Sequence, residues 1–584
     1  MSNFAQQNPA PVSENDVVRE GNTLARDHAC ALMLDVDPAA TGAATVRLWH
    51  LKDQPGSPVC WFEEENLLVI CFGDCHLVSN GVGQCSATWM RRALDQPELL
   101  RQLSGVFALF VVDKCKREIL VATDRIGVQP VYHSTDPTGK IRFCTHLSWL
   151  LLENRHDTSV NPDDFFAHMA FGYVPDQSRT IYRDIAKLPP ASCARVSAKG
   201  LRLIRYWEQP APALPLAGQL EDLSNTLRRE LLRSVARHGL LLGLTSGKDS
   251  LCLACHMPPG ESLTGTFGAA DSADHLQAAK ICLQKGWQRV AAGLCPPEQI
   301  ERWASYVGFH SGGLATTSYA DMAWFATTCI PKDHSYVLGE GGECVRDFFR
   351  DRGLKPIDWL SKEYMTPKDY LYSVLAPHLQ TRLKKYPQNL VENMRSACGG
   401  TTGEDFTLQF YRTVRMPGNF SQRHAVLATI RPTLSPFLST NFIDLAYGLH
   451  TIHYRDSQLH RALIAQSDPS LLGYFDSPVL GSTPVQDWPC RFSGETGLLI
   501  EKLLIKHCAA MENVFQAEGV QQVCAQTRSV PTRAIFMLLR IASFALCRAE
   551  LCQRNAENLR LIREGTRVVI QPPKENSEQT RCGK

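Results

Sequence analysis

A hydroxyl-rich turn at residues 244–250, with the sequence LTSGKDS, carries the groups best suited to phosphate chemistry. An apolar run precedes the turn and a helix-like run follows it, which predicts a strand, a loop and a helix. Backbone N–H groups at the start of a helix attract phosphate oxygens, and the carboxylate of Asp249 suits the Mg²⁺ that accompanies phosphates. The spacing of a Walker A loop is absent. The alternative interpretation is an ordinary strand-to-helix turn capped by Ser or Asp.

The elements around this turn divide the chain into two halves. Residues 1–206 contain short strand-like runs, at 59–62, 67–72 and 106–112. The last of these runs is continuously apolar, which predicts a strand buried on both faces. Residues 207–219 are rich in Pro and Ala and predict an extended linker.

From residue 220 helices alternate with apolar strands, which predicts a second domain over 220–571 with a parallel sheet. One apolar helical stripe lies just before the turn and comprises Leu223, Leu227, Leu231, Leu232 and Val235. The chain after 355 is largely helical in pattern. Residues 572–584 predict a disordered, charged tail.

Composition excludes several classes of protein. The 584 residues carry a net charge of +2, with 44% hydrophobic and 21% charged residues, as in a soluble globular protein. This balance indicates neither a nucleic-acid partner nor a membrane surface, and neither a membrane-spanning run nor a secretory signal is evident. The 21 scattered cysteines are therefore expected to be reduced thiols in a cytoplasmic protein. Cys252 and Cys255 are interpreted as buried thiols rather than metal ligands.

Five further segments resemble one family in order and spacing. The runs at 103–113 (LSGVFALFVVD) and 120–132 (LVATDRIGVQPVY) resemble the core of a glutaminase-type domain. The segments at 171–175 (FGYVP) and 185–190 (IAKLPP) resemble the connection from that domain to a synthetase domain, and 337–343 (VLGEGGE) resembles its SGEGxDE segment. The turn at 244–250 resembles the pyrophosphate loop written SGGxDS. Over residues 65–480 the chain therefore resembles the glutamine-dependent, two-domain asparagine synthetase family.

This resemblance implies a fold and a set of site residues. The fold is an α+β Ntn-hydrolase-like sandwich followed by an α/β domain of the adenine-nucleotide α-hydrolase-like (PP-loop) type, with a parallel sheet and a helical carboxyl-terminal part. The implied ligands are ATP and Mg²⁺. The residues implied to bind ATP are Leu244, Thr245, Ser246, Gly247, Asp249, Ser250, Phe267, Gly268, Gly339 and Gly341. Asp249 and Glu343 would hold Mg²⁺, and Glu340 would accept or position the proton of an attacking amine.

Departures from the family pattern change the expected reaction. A glutaminase of this type needs Cys directly after the initiator Met, whereas this chain has Ser2. Cys30 is interpreted as a core thiol rather than a displaced nucleophile. The first domain is therefore expected to lack glutaminase activity, and the amine must come from another source.

The second domain also departs from the family. Cys344 stands where the family has Glu, and Val479 stands where it has a Lys that stabilises the adenylate chemistry. Lys248, Arg431 and Arg461 are the candidate replacement cations, although Arg431 is equally consistent with a structural salt bridge.

The expected function is ATP-dependent amide formation. The favoured reaction is macrolactam closure on a peptide, as in lasso-peptide cyclases, which would imply a precursor-processing protease as a partner. The alternatives are a β-lactam or other small-molecule amide synthetase, an asparagine synthetase that uses free ammonia, and a non-catalytic nucleotide-binding relative. The β-lactam enzymes have Tyr at the position of Glu340, so this residue resembles the asparagine synthetases instead.

Overall fold

The computed structural model describes most of the two halves. The described residues are 25–29, 31–37, 43–49, 56–64, 66–78, 86–153, 159–235, 239–258, 262–346, 369–383, 396, 398, 404–476, 491, 494–511, 513–526, 532–557 and 568–570. Ser2, Cys30, Val479 and the tail 572–584 lie outside these residues, so the interpretations placed on them stay predictions.

Two antiparallel sheets pack face to face in the first half. The larger sheet has the order β1 (Ala25–Ala29), β4 (Ser57–Glu64), β5 (Leu67–Gly73), β8 (Phe107–Asp113), β9 (Glu118–Thr123), β13 (Ser192–Ser197) and β14 (Gly200–Arg205). The other has the order β12 (Ala186–Lys187), β10 (Tyr132–Thr135), β11 (Ile141–Cys144), β2 (Ala31–Asp37), β3 (Ala43–Trp49) and β20 (Val568–Ile570). A two-stranded pair, β6 (His76–Leu77) and β7 (Leu103–Ser104), lies beside them. The predicted sandwich is therefore present.

The central strand β8 confirms the prediction of burial on both faces. Every residue from Phe107 to Asp113 is buried. Alternate side chains enter different cores: Phe110 packs between the two sheets, whereas Leu109 packs beneath the helix Ala87–Asp95. A strand with period-two side chains can be apolar throughout only when both of its faces are covered.

The second half is built on a five-stranded sheet whose pairings are all parallel. Its order is β17 (Gln288–Ala292), β16 (Leu263–Phe267), β15 (Gly239–Gly243), β18 (His334–Val337) and β19 (Thr433–Leu434). Parallel strands all end at one edge of the sheet, and open α/β sheets bind ligands at that edge. The predicted parallel sheet is therefore confirmed, with the turn at 244–250 at its carboxyl edge.

Helices cover both units and form most of the described chain after residue 404. The α-helices are Ala87–Asp95, Leu147–Glu153, Pro162–Phe171, Leu220–Val235, Lys248–Ala254, Ala273–Lys285, Pro297–His310, Ala320–Thr328, Pro377–Leu383, Glu404–Phe410, Ser421–Ala428, Thr440–Gly448, Gln458–Ser467, Leu472–Asp476, Glu495–Cys508, Ala517–Ala525 and Thr532–Glu557. A π-helix spans Tyr411–Phe420. In the described part of the chain, no helix is both long enough and apolar enough to cross a lipid bilayer.

The helix Leu220–Val235 corrects part of the predicted apolar stripe. Leu223, Leu227 and Leu231 are fully buried, as expected from their spacing of four residues. Leu232 is 47% exposed and Val235 is 45% exposed. Leu232 follows Leu231 by about 100° around the helix, and Val235 is the last helical residue. Cys252 and Cys255 are both buried, as expected.

Two features join the units. The segment 207–219 is held on the second unit, because the backbone N–H groups of Ala213 and Leu214 both donate to the Gly448 carbonyl at 2.8 Å. Lys187 of the first unit is buried and donates from Nζ to the Pro417 carbonyl at 2.6 Å and to Ser421 Oγ at 3.3 Å. The amine therefore fastens the π-helix to the sandwich.

Burial lowers the pKa of Lys187 from 10.5 to about 7. Between pH 7 and 10.5 the unfolded chain binds the proton of Lys187 more tightly than the folded chain does. The contribution of Lys187 to the free energy of unfolding therefore rises with pH in this range, and it is lowest below pH 7. We expect the free energy of unfolding of the wild type, minus that of Lys187→Met, to rise between pH 7 and 9 by at most about 1.4 kcal/mol per pH unit. Urea unfolding of both proteins across this range measures the slope. A difference that stays flat contradicts the assignment.

Candidate active site

The turn at 244–250 lies where the parallel sheet opens. It leaves the end of β15, which pairs with β16 on one side and β18 on the other. Thr245, Ser246, Gly247 and Lys248 are partly exposed, whereas Asp249 and Ser250 are buried. The helix that follows begins at Lys248 with Gly247 as its amino-terminal cap. The predicted strand, loop and helix are therefore present.

Hydroxyl groups stabilise the turn from within. Ser250 Oγ lies 2.9 Å from Thr245 Oγ1 and accepts from the Thr245 backbone N–H at 3.2 Å. Thr245 Oγ1 accepts from the backbone N–H of Gly247 at 3.1 Å. Among the described residues, no side-chain cap is bonded to the start of the following helix, so its first N–H groups are the donors that a phosphate group would approach.

A carboxylate that sequence reasoning missed reaches the same turn. Asp274, in the first turn of the helix Ala273–Lys285, accepts from both the backbone N–H and the hydroxyl of Ser246 at 2.7 Å. The Asp274 side chain therefore occupies two donors that the turn was predicted to offer to phosphate. Ser246 becomes available to a phosphate only if Asp274 moves away.

The segment Gly339–Glu343 packs directly on Asp249. A methyl group added at Gly339 would lie 3.0 Å from Asp249 Cβ and 3.2 Å from the Ser250 nitrogen. A methyl group added at Gly342 would lie 2.7 Å from Asp249 Cγ. The structure therefore brings the two predicted segments into contact, and glycine is required at this contact for steric reasons.

Gly342→Ala is expected to displace the Asp249 carboxylate. The new methyl group cannot fit against Asp249 without movement, so we expect the free energy of unfolding to fall by about 1–3 kcal/mol. Gly218→Ala is the matched control, because a methyl group there meets nothing within 4 Å and its effect should stay within about 0.5 kcal/mol. Chemical denaturation measures both. Equal stabilities would show that this contact is not tight.

Asp249 is held between two basic side chains. Nη2 of Arg346 donates to its Oδ2 at 2.8 Å, and Nε2 of His460 lies 2.9 Å from its Oδ1. The His460 approach is not in hydrogen-bond geometry, so Oδ1 has no hydrogen-bond donor. Burial raises the pKa of Asp249, but Arg346 and His460 outweigh burial and hold this pKa below its ordinary value.

Glu343 faces the same carboxylate. Burial and the charge of Asp249 raise the pKa of Glu343 from 4.5 to about 7, and its Oε2 is buried without a hydrogen-bond partner. Carboxylate oxygens are the hard donors that Mg²⁺ prefers, and Oε2 of Glu343 is one that lacks a hydrogen-bond partner among the described residues. Asp249 and Glu343 therefore fit the predicted ion.

Glu340 forms a buried ion pair that the sequence did not indicate. Its side chain is 1% exposed, and its Oε1 lies 2.6 Å from Nε and 2.5 Å from Nη2 of Arg423. Glu340 Oε2 is buried without a partner. The Arg423 side chain is 25% exposed, so a cation and one unused carboxylate oxygen lie beside the turn.

The three candidate replacement cations occupy different environments. Lys248 lies at the turn, where Nζ donates to Ser457 Oγ at 3.1 Å and sits 4.8 Å from the centre of the Phe475 ring. Arg461 is half exposed and paired with Asp476. Lys248 is therefore the candidate that the structure places at the turn.

Arg431 is at the wrong end of the sheet. The pairing of Tyr336 with Thr433 places Arg431 level with His334, and His334 pairs with Gly239 at the start of β15. Arg431 donates to the carbonyls of Ala326 and Ile330 at 3.0 and 2.7 Å. This position supports a structural role, and we withdraw Arg431 as a catalytic cation.

The remaining predicted residues lie at the ends of neighbouring elements. Phe267 ends β16, and its ring lies 5.2 Å from that of Phe325. Gly268 follows with φ +132°, and Gly341 has φ +94°, backbone conformations that favour glycine. Their assignment to the adenine side and to ATP stays a prediction.

A second carboxylate cluster lies apart from this turn. Asp74, His76 and Glu230 have ligand atoms within 4.8 Å of one another, which is the one such group of three found among the described residues. Arg233 pairs with both carboxylates. Because Arg233 forms ion pairs with both carboxylates, the cluster serves as a salt bridge between the two units.

The described fold and site can be compared with known proteins. A family model for a glutamine amidotransferase domain matches residues 93–207, within the first unit and the start of the linker. The curated relatives include a putative glutamine-hydrolysing asparagine synthetase 2 of Methanocaldococcus jannaschii, 27% identical over 117 residues. Another is the glutamine-hydrolysing asparagine synthetase 3 of Bacillus subtilis, 28% identical over 116 residues. Each alignment covers 19% of this chain and 22% or 18% of the relative. These similarities support a relationship with the asparagine synthetase family, although the chain spans only about a fifth of those relatives' length.

Two solved structures were also aligned with the chain. One is an allosteric regulatory enzyme of purine biosynthesis. That alignment has 8% sequence identity and a TM-score of 0.20, and it covers 46% of this chain and 74% of that chain. The other is the glutamine phosphoribosylpyrophosphate amidotransferase of B. subtilis. That alignment has 10% sequence identity and a TM-score of 0.18, and it covers 45% of this chain and 59% of that chain. Alignments with such low scores add nothing to the description of this fold.

Proposed function

We propose that this chain is an ATP-dependent ligase that activates a carboxylate as an acyl-adenylate and joins it to an amine. The observation that carries this proposal is the contact between the turn at 244–250 and the segment Gly339–Glu343. One segment offers donors suited to phosphate, and the other offers buried carboxylates with unpartnered oxygens. The relatives named asparagine synthetases support an amide-forming ligase.

The reaction assigns a task to each group. A substrate carboxylate oxygen attacks the α-phosphorus of ATP, the α–β bond breaks, and pyrophosphate leaves along the first N–H groups of the helix that begins at Lys248. An amine then attacks the acyl carbon, and AMP leaves with the bonding electrons. Oε2 of Glu340 holds the proton that the amine gives up, while Arg423 supplies positive charge beside it. Mg²⁺ bound by Asp249 and Glu343 would offset the charge of the phosphates.

The source of the amine decides the product. We propose that the amine comes from the substrate rather than from glutamine. An amine on the same molecule as the activated carboxylate gains a large entropic advantage. We therefore favour macrolactam closure on a peptide, as in lasso-peptide cyclases, over a small-molecule amide or β-lactam product and over asparagine formation from free ammonia.

Product analysis tests this function. The full chain is incubated with ATP and Mg²⁺, together with synthetic linear peptides that carry a free amino terminus and one Asp or Glu. A parallel reaction contains L-aspartate and ammonium chloride. We expect AMP, pyrophosphate and a peptide that has lost one water. An asparagine product identifies the ammonia reaction instead, and the absence of AMP from every reaction contradicts a ligase.

A second candidate function is nucleotide binding without catalysis. It is favoured by the contacts that already occupy the turn, since Asp274 takes two donors of Ser246 and Arg346 pairs with Asp249. Saturable binding of ATP without AMP formation, in the presence of the same peptides, would identify this function.

A further inference from the structure

A cavity of about 710 Å³ lies between the two units, away from the turn. Arg125, Pro190 and Trp207 line it from the first unit and the segment that follows. Arg412 and Tyr447 line it from the second unit. The volume is typical of sites that bind small molecules or short peptide segments.

Arg412 is a buried arginine of this cavity that lacks a carboxylate partner among the described residues. It is 4% exposed, its Nε donates to the Cys344 carbonyl at 2.8 Å, and its Nη2 has no hydrogen-bond partner. Its guanidinium lies 3.8 Å from the centre of the Tyr447 ring. Among the described residues, no carboxylate forms an ion pair with it.

Other arginines of the same cavity have partners. Arg125 pairs with Asp444, and Arg179 pairs with Asp164 at 2.7 Å. A buried charge without a counter-charge is strongly unfavourable. An anion inside the cavity would therefore balance the charge of Arg412. The planar N–H donors of its guanidinium match the two oxygens of a carboxylate.

We propose that this cavity binds a carboxylate, of an amino acid or a peptide, through the guanidinium of Arg412. The same guanidinium holds the carbonyl of Cys344, the residue after Glu343, so the bound group contacts the segment that carries both site carboxylates. Arg412 also belongs to the π-helix Tyr411–Phe420, a rare element that is frequent at functional sites. Binding of a carboxylate in this cavity does not depend on the proposed ligase function. Only the interpretation of the bound group as part of the ligase substrate rests on that function.

Binding is tested on the full chain in the absence of ATP, by calorimetric titration with L-glutamate, with the tripeptide Gly-Gly-Glu and with inorganic phosphate. We expect saturable binding of at least one carboxylate, and binding about tenfold or more weaker in Arg412→Gln, since a hydrogen bond to a charged group is lost. Preference between the two carboxylates identifies the source as a free amino acid or a peptide. Because ATP is absent, failure of the ligase function does not affect the result.

Two further variants keep the test decisive. Thr413→Trp fills the cavity beside Arg412 and should abolish binding even if Arg412→Gln does not fold. Arg461→Gln, a half-exposed arginine outside the cavity, should bind as the wild type does. The proposal is overturned if the wild type binds neither carboxylate, if phosphate binds tenfold more tightly than both, or if the cavity-filling variant binds normally.

Discussion

Asp249→Asn is expected to reduce ATP-dependent product formation by about a hundredfold or more, since changes to the outer partners of a metal ligand already cost 10–100-fold. The neutral amide would lose a negative ligand for Mg²⁺ at the start of the helix that follows the turn. It would also leave Arg346 without its carboxylate partner. Initial rates of pyrophosphate release, at saturating ATP and peptide, measure the effect.

A matched control separates chemistry from stability in that experiment. Asp321 is likewise buried and paired with an arginine, Arg491 at 2.7 Å, but lies away from the turn. Asp321→Asn should lower the free energy of unfolding about as much as Asp249→Asn and leave the rate of pyrophosphate release nearly unchanged at a temperature where both variants are folded. Equal losses of activity would mean that Asp249 acts only through stability.

Arg423→Met is expected to destabilise the fold by about 3–5 kcal/mol, because it leaves the Glu340 carboxylate buried without a counter-charge. The double variant Glu340→Gln/Arg423→Met should regain most of this loss, since neither charge remains. Arg461→Met is the control: both members of the Arg461–Asp476 pair are about half exposed, and an exposed pair contributes about 1 kcal/mol or less. Urea unfolding of the wild type, Glu340→Gln, Arg423→Met and the double variant measures the coupling, and Arg461→Met is unfolded beside them.

The same variants distinguish the two roles of this pair. Glu340→Gln should slow amide formation while leaving ATP binding intact, because the unpartnered Oε2 would no longer take a proton. Arg423→Lys keeps the charge but not the fork geometry, and we expect it to restore stability more fully than activity. If Arg423→Met is as stable as the wild type, the ion pair does not organise the site.

The local features of the site were predictable and the long-range ones were not. A turn of small and hydroxyl residues between an apolar run and a helix is a local pattern, and so is the continuous burial of 107–113. Arg423 and His460 reach the site from helices distant in the sequence, and no short motif marks Arg346, three residues after Glu343, as the partner of Asp249. Their positions follow from how the helices pack on the sheet.

Arg431 shows why strand direction matters to such predictions. Its place before β19 along the chain does not indicate which edge of the sheet it occupies. The parallel pairing of β18 with β19 places it at the start of the strands, whereas the turn lies at their ends. Lys248 could be placed at the turn without knowing the direction of the strands, because it belongs to the same local segment.

In the proposed reaction, the turn at 244–250 holds ATP while a carboxylate attacks its α-phosphorus. The most direct test supplies a peptide whose Asp or Glu carboxylate is labelled with ¹⁸O and analyses the AMP that is formed. We predict that AMP gains one labelled oxygen with the wild type and that Asp249→Asn forms almost none. Formation of ADP and phosphate, or of AMP without the label, would contradict the claim.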